Sequence, residues 1–196
     1  MKIDRRIQRT KRRLRQSLID LTLEQGFEAL TIRDITRQAN VGYASFFRHY
    51  KSKDDLLLDV LDHLLQEVQL LLQPSRETAD ATTSGTLLFN HVADNEALYR
   101  VLLSSDGNHF ALDRLRTSGV ESFLAQHTPL PDSPIPPDIA ADHIVNATIN
   151  LIQWWLAHDM PYPPARMGEI YSKLVAEPAM SLAFALPENV AVERRA

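Results

Sequence analysis

Apolar positions recur at helical spacing through nearly the whole chain, and nowhere with the two-residue alternation of a half-buried strand. Leu14, Leu18, Leu21 and Thr22 mark one stripe, predicting a helix over 5–25 that Gly26 stops. Ile32, Ile35 and Ala39 predict a short helix over 32–39, and Asn40-Val41-Gly42 breaks it before a second short helix over 43–50. Leu56, Leu57, Val60, Leu61, Leu64 and Leu65 carry a longer helix over 53–73, ending at Gln73-Pro74. Residues 74–84 are polar and read as a loop. Helical segments follow at 85–94, 95–104 and 108–127, with Ser105-Asp106-Gly107-Asn108 as a turn. Five prolines make 128–137 a stiff extended linker, and two last helices are expected at 138–159 and 164–176. The fold class is therefore all-α, with about nine helices and no internal repeat.

The segment 31–53, TIRDITRQANVGYASFFRHYKSK, has the grammar of a helix-turn-helix DNA reader. Thr31 is a natural N-cap, and Asp34 three residues on completes a capping box. Asn40 and Gly42 tolerate unusual backbone angles, and Val41 between them plugs the angle between two helices. Small Ala44 permits a close approach, either to the first helix or to a DNA backbone. Phe46, Phe47 and Tyr50 suit packing, with Phe47 and Tyr50 on one face. Tyr43, Phe46, Arg48 and His49 cannot all be interior.

Charge sharpens this picture. The net charge of −4 hides a division: residues 1–55 hold 13 Lys/Arg and 7 Asp/Glu, while 56–196 hold 8 and 18. A basic head on an acidic body suits a protein that sets one end against a polyanion. Eight of the cations are Lys2, Arg5, Arg6, Arg9, Lys11, Arg12, Arg13 and Arg15. They read as phosphate contacts, with residues 1–4 as an arm toward the minor groove; a solvated helix face is the plainer alternative. Without cysteine there is neither a disulfide framework nor a thiolate metal site. The basic start lacks a following apolar run, and no stretch reaches membrane-spanning length, so a soluble cytoplasmic protein is expected.

Together these residues resemble the TetR family of bacterial transcription regulators. The resemblance rests on Gly26-Phe27, Thr31-Ile32, Ala39-Asn40-Val41-Gly42, Ala44-Ser45-Phe46-Phe47-Arg48-His49-Tyr50 and Lys51-Ser52-Lys53-Asp54-Asp55-Leu56, about fifty residues in all. Gly42 replaces the family's usual hydroxyl residue, removing a side-chain cap from the recognition helix. Ser45 keeps the hydroxyl of the usual Thr. Phe47 replaces the usual Tyr, deleting a phenol that in the family generally bonds a phosphate. The body is similar to family C-terminal domains in Trp154-Trp155-Leu156 and Met160-Pro161-Tyr162-Pro163-Pro164.

The resemblance implies a helix-turn-helix domain at 1–52 and a helical regulatory and dimerisation domain at 53–196. It implies double-stranded DNA with an inverted repeat as partner, a second copy of the chain as homodimer, and a small-molecule effector. The expected function is that of a repressor which the effector releases from its operator. DNA contacts are expected from Thr31, Arg33, Gly42, Tyr43, Ala44, Ser45, Phe47, Arg48, His49 and Lys53. Among these Tyr43 touches a base edge or thymine methyl, Ser45 and His49 face phosphate, and Lys53 joins the free N–H groups of its helix start on one phosphate. A regulator controlled by a protein partner, or an activator, would carry the same head.

In the body, Phe89, Tyr99, Phe110, Phe123, Asn150 and Trp154 are candidates for an effector pocket, with His91 or His109 as further polar fixings. Ordinary core packing explains the same aromatics. The helix over 138–159 is apolar nearly all round and needs two partners. Ile144, Ile152, Trp155, Ile170, Tyr171 and Leu174 are therefore candidates for a four-helix dimer seam. Seven histidines, His49, His63, His91, His109, His127, His143 and His158, make no ligand motif, so no metal or cofactor is expected. A helical enzyme is disfavoured: the chain lacks a G-x-S-x-G elbow, a Gly-rich phosphate loop, a Cys nucleophile and a convincing acid–base pair.

Overall fold

The computed structural model describes residues 5–77, 80–103 and 109–185. The expected N-terminal arm over 1–4 and the turn over 105–108 lie outside the described residues. The elements are α1 (Arg5–Gln25), α2 (Ile32–Gln38), α3 (Tyr43–Phe46), α4 (Lys53–Glu77), α5 (Ala81–Asp94), α6 (Glu96–Leu103), α7 (His109–Gln126), α8 (Pro137–Ala157), α9 (Pro164–Tyr171), a π turn (Ser172–Ala176) and α10 (Glu177–Ala183). The fold is all-α; among the described residues the only β pairing is an isolated bridge between Pro129 and Phe184.

Two boundaries differ from the periodicity. The loop expected at 74–84 contracts, because α4 continues through Pro74 to Glu77 and α5 begins at Ala81. Asp80 is the reason for the early start: its carboxylate accepts from the Thr82 and Thr83 amides at 3.0 and 3.1 Å, so a polar run becomes a capped first turn. At the other end the last helix extends past 176 to Ala183. The π turn re-phases the rod so that Pro178 falls in the opening turn of α10, where a missing amide costs little.

The chain forms two compact units, residues up to 64 with 97–112, and 65–96 with 113 onward. This differs from a boundary at 52/53: Leu56, Leu57, Val60, Leu61 and Leu64 of α4 are buried, and they belong to the first unit. The first unit's interior also holds Leu14, Leu18, Phe27, Ile35 and Phe46, each at most 2% exposed. Burying a side chain of this size contributes about 1.5–3 kcal/mol, enough to fix the short α2 and α3, which would not persist alone. Gly26 ends α1 at φ +80°, closing onto the Thr22 carbonyl. Most of α6 joins this unit with Tyr99, Val101, Leu102 and Leu103 buried.

In the second unit α5 and α9 cross at backbone distance. A Cβ at Gly168 would lie 2.6 Å from the Thr86 nitrogen, and one at Gly85 would lie 2.9 Å from Gly168 Cα. Fully buried Phe89 meets Trp155 edge-on at 5.2 Å. A further cluster joins Ala140, Ala141 and Ile144 of α8 to Val175, Ala183 and Phe184. The proline-rich linker is pinned to the end of α10 by Leu130 N–H to the Ala183 carbonyl and Ala185 N–H to the Thr128 carbonyl. Among the described residues, no helix is long and apolar enough to cross a membrane.

Candidate DNA-binding surface

The site is assembled from α1, α2, the turn and α3, all within the first unit. Thr31 caps α2: its hydroxyl accepts from the Asp34 amide, and the Asp34 carboxylate accepts from the Thr31 amide, closing the box reciprocally. The Thr31 hydroxyl and amide hold the Asp34 carboxyl below the usual carboxylate range, with the Arg37 charge adding to the effect. At the other end Asn40 takes φ +51°, and the Val41 amide reaches back to the Thr36 carbonyl at 3.0 Å. With Asn40 N–H on the Arg37 carbonyl, this is a Schellman closure with asparagine in the glycine position. It turns the chain sharply into α3.

α3 is shorter than the expected 43–50 helix. After Phe46 the chain continues in hydrogen-bonded turns, with Arg48 N–H on the Ser45 carbonyl and His49 and Tyr50 N–H on the Phe46 carbonyl. Gly42 is its N-cap and supplies no side-chain bond. Phe46 and Tyr50 are buried, whereas Phe47, expected to share the packing face with Tyr50, stands 48% exposed. The reason is angular: residues 46 and 50 lie one turn apart on the inner face, which carries 47 and 43 outward together.

A clasp fixes this segment against its neighbours. Tyr50 donates its hydroxyl to Asp59 of α4 at 2.7 Å, and Lys11 and Arg15 of α1 reach the same carboxylate at 3.1 and 3.3 Å. Burial alone would raise the Asp59 carboxyl. Hydrogen bonds from Tyr50 and Lys11, and the charges of Lys11 and Arg15, outweigh it and hold the group below its ordinary value. Burial, then the bond to Asp59, pushes the Tyr50 phenol well above its ordinary range, so it stays a donor.

Between the first turns of α1 and the recognition segment lies a cleft of about 600 Å³. Arg6, Arg9 and Arg13 line it from α1, one face at three- and four-residue spacing; Gly42, Ser45, Arg48 and His49 line it from the other side. Arg48 donates to the Ser45 hydroxyl, which sets its guanidinium toward this wall. Four arginines converging on an open cleft suit one or two phosphates. The run of α1 cations in the sequence does not single out these three, and Thr10 and Asn40, which also line the cleft, carry no charge to mark them. The α1 spacing was the available signal.

The other expected contacts fall elsewhere on the tip. Arg33 lies over the Tyr43 ring at 5.8 Å, and both are exposed, as are Thr31 and Ala44. Lys53 is tied inward: its ammonium donates to the Phe27 and Glu28 carbonyls at 2.9 and 3.1 Å and sits 4.6 Å over the Phe27 ring. That lysine fastens the loop after α1, leaving one N–H for any phosphate.

The pocket and seam residues are redistributed. Tyr99 and Phe110 belong to the first unit, where Phe110 stands 6.4 Å from Phe27, so the six candidates do not share one unit. Phe89 is packed on Trp155, and Phe123 stacks on His127 at 3.9 Å and meets Phe184 at 5.3 Å. Asn150 is exposed on α8. The sequence leaves open which tryptophan faces a pocket and which a dimer seam, and their burial differs sharply. Trp155 is 1% exposed and donates its indole N–H to the Tyr162 carbonyl, so it is interior; Trp154 is 44% exposed. Ile144 and Ile152 are likewise buried within the chain, while Ile170 and Tyr171 are half-buried and Leu174 is 68% exposed. Among the described residues no group of three His, Asp or Glu side chains is placed to hold a metal ion.

Comparison with known proteins settles the ancestry of both parts. Residues 19–60 match the family model of bacterial regulatory proteins of the tetR family, and residues 82–177 match a transcriptional regulator C-terminal region of the same group. The chain belongs to the TetR family. Relatives include an uncharacterized HTH-type transcriptional regulator of Bacillus subtilis, 38% identical over 71 residues, covering 32% of this chain and 19% of the relative. A second, from Haemophilus influenzae, is 27% identical over 125 residues, covering 58% and 61%. The chain thus spans about a fifth and three fifths of the lengths of these two relatives. A TetR transcriptional regulator from Streptococcus agalactiae 2603V shares the architecture with a TM-score of 0.65 at 25% identity, over 88% of this chain and 96% of that one. The family and its relatives bear the names of DNA-binding transcriptional regulators, not enzymes.

Proposed function

We propose that this TetR-family chain is a repressor that binds an inverted-repeat operator as a homodimer and is released by a small effector in its helical body. The observation carrying the DNA half is the tip itself: a short recognition segment with exposed Tyr43, Phe47 and Arg48 beside a cleft lined by Arg6, Arg9 and Arg13. Cations at the rim hold phosphates while the segment enters the major groove. For pairing, the exposed apolar side chains of α8 and of the rod after it are available, with Leu174 shared with the expected set. Ile139 and Trp154 lie on one stripe of α8, and Leu174 and Leu182 are exposed on the later rod. Two neighbours of this fold are described in complexes with triclosan and with stearoyl-CoA. At 15% and 16% identity they support a ligand-holding body and leave this chain's effector unnamed.

A second reading, a regulator without a small ligand, is favoured by one observation. Of the six pocket candidates, Phe89 and Tyr99 are buried, and Phe123 is packed on His127 and Phe184. One experiment separates the readings: duplexes are selected from a random pool by the full chain, then released by compounds that raise its melting temperature. Release by a stabilising compound supports the effector reading. Stabilisers that never release DNA support the second.

A further inference from the structure

Tyr43 and Phe47 are two aromatic rings left half in solvent on the segment that faces DNA, at 49% and 48% exposure. They are not independent. Their rings meet edge to face at 5.2 Å and 72°, and Phe47 rests edge-on against fully buried Phe46 at 5.4 Å. The Arg33 guanidinium lies over the Tyr43 ring at 5.8 Å. The result is a preformed apolar edge, anchored from beneath and held from the side. Cations accompany it: Arg33 over the Tyr43 ring and Arg48 on the segment itself are both exposed.

An apolar edge beside positive charge suits an occupant that is apolar in the middle and anionic at its borders. The major groove offers one apolar feature, the thymine 5-methyl group, flanked by phosphates. Phe47 has no hydroxyl, so at the DNA surface its ring can contribute only an apolar contact. The 5.2 Å between ring centres lies between one and two base-pair rises of about 3.4 Å, a spacing compatible with methyl groups on neighbouring base pairs.

We propose that Tyr43 and Phe47, with Arg33 as brace, read two thymine methyl groups in each operator half-site. This rests on the DNA-binding reading above and deepens it by naming what the recognition segment selects. Arg33 is a positioning residue here: it fixes the Tyr43 ring and touches phosphate or solvent with its remaining N–H groups.

The test uses the full chain and a duplex selected by it from a random pool. Each thymine is then replaced singly by deoxyuridine, which removes the methyl and nothing else. Two positions per half-site should weaken binding about fourfold each, the factor that one buried carbon carries. Phe47→Ala should abolish the penalty at one of these positions and leave the other; Tyr43→Ala should do the converse. Deoxyuridine neutral at every position, with tight binding retained, overturns the inference and leaves the DNA reading intact. A selected half-site without thymine does the same. A chain that selects no duplex overturns the DNA reading and this inference with it.

Discussion

Asp59 is the polar residue on which the recognition segment's orientation depends, and its removal tests that dependence quantitatively. It accepts from Tyr50, Lys11 and Arg15, thereby joining α4 and α1 to the end of the recognition segment. In Asp59→Ala the Tyr50 hydroxyl, on a side chain only 3% exposed, loses a hydrogen bond to a charged acceptor. Such a bond contributes about 1.5–3 kcal/mol. The two cations are 29% and 17% exposed and recover water, so each pair adds only about 0.5 kcal/mol. The expected loss is about 2.5–4 kcal/mol, read as a lower urea midpoint for the transition that reports the first unit. Tyr50→Phe should lose about 1.5–2 kcal/mol alone. The double variant should lose at least about 1 kcal/mol less than the two single losses added, because both remove one bond. The sign with pH follows from Asp59's lowered folded pKa: its contribution is full above the ordinary carboxylate value and disappears as pH falls through the folded value. Wild type and Asp59→Asn should therefore converge in stability at acid pH. Additive losses, or a difference that persists unchanged into acid, would refute the clasp.

Other consequences are as direct. Arg9→Ala should weaken binding to selected and random duplexes by similar factors and reduce the salt slope by about one; an unchanged slope would place the phosphates outside the cleft. Lys53→Met removes two charge-assisted bonds to the Phe27 and Glu28 carbonyls and should cost about 1–3 kcal/mol of stability, so an unshifted melting temperature would contradict the inward role. Gly168→Ala forces a methyl against the Thr86 backbone at the α5–α9 crossing and should destabilise by about 3 kcal/mol or more; calorimetry showing a loss below about 1 kcal/mol would mean the helices separate freely.

Much of the tip could be read from sequence because its determinants are local. Thr31 and Asp34 are three residues apart, and Asn40 carries its own turn preference, so capping and closure need no tertiary information. The Asp59 clasp was hidden for the opposite reason, since its cationic partners lie 44 and 48 positions away. Periodicity also could not rank the faces of α8, a helix apolar almost all round. Trp154 and Trp155 are about 100° apart on it, and only packing on Phe89 decides which one turns inward. Phe46 and Phe47 pose the same difficulty in a helix too short to show a stripe. Tyr99 and Phe110 fall in the first unit and the other pocket candidates in the second, a division set by non-local burial that periodicity does not reveal. The continuation past 176 was concealed by Pro178, whose usual meaning as a stop is reversed by the preceding π turn.

A hydroxyl-radical footprint of the full chain on its selected duplex tests the central claim most directly, that the tip built from α1 to α3 reads DNA twice per assembly. Two protected patches are expected on one face of the duplex, centred about a helical turn or a whole multiple of it apart, with a single half-site bound far more weakly. A single patch bound as tightly alone as within the repeat, or uniform protection regardless of sequence, would contradict it.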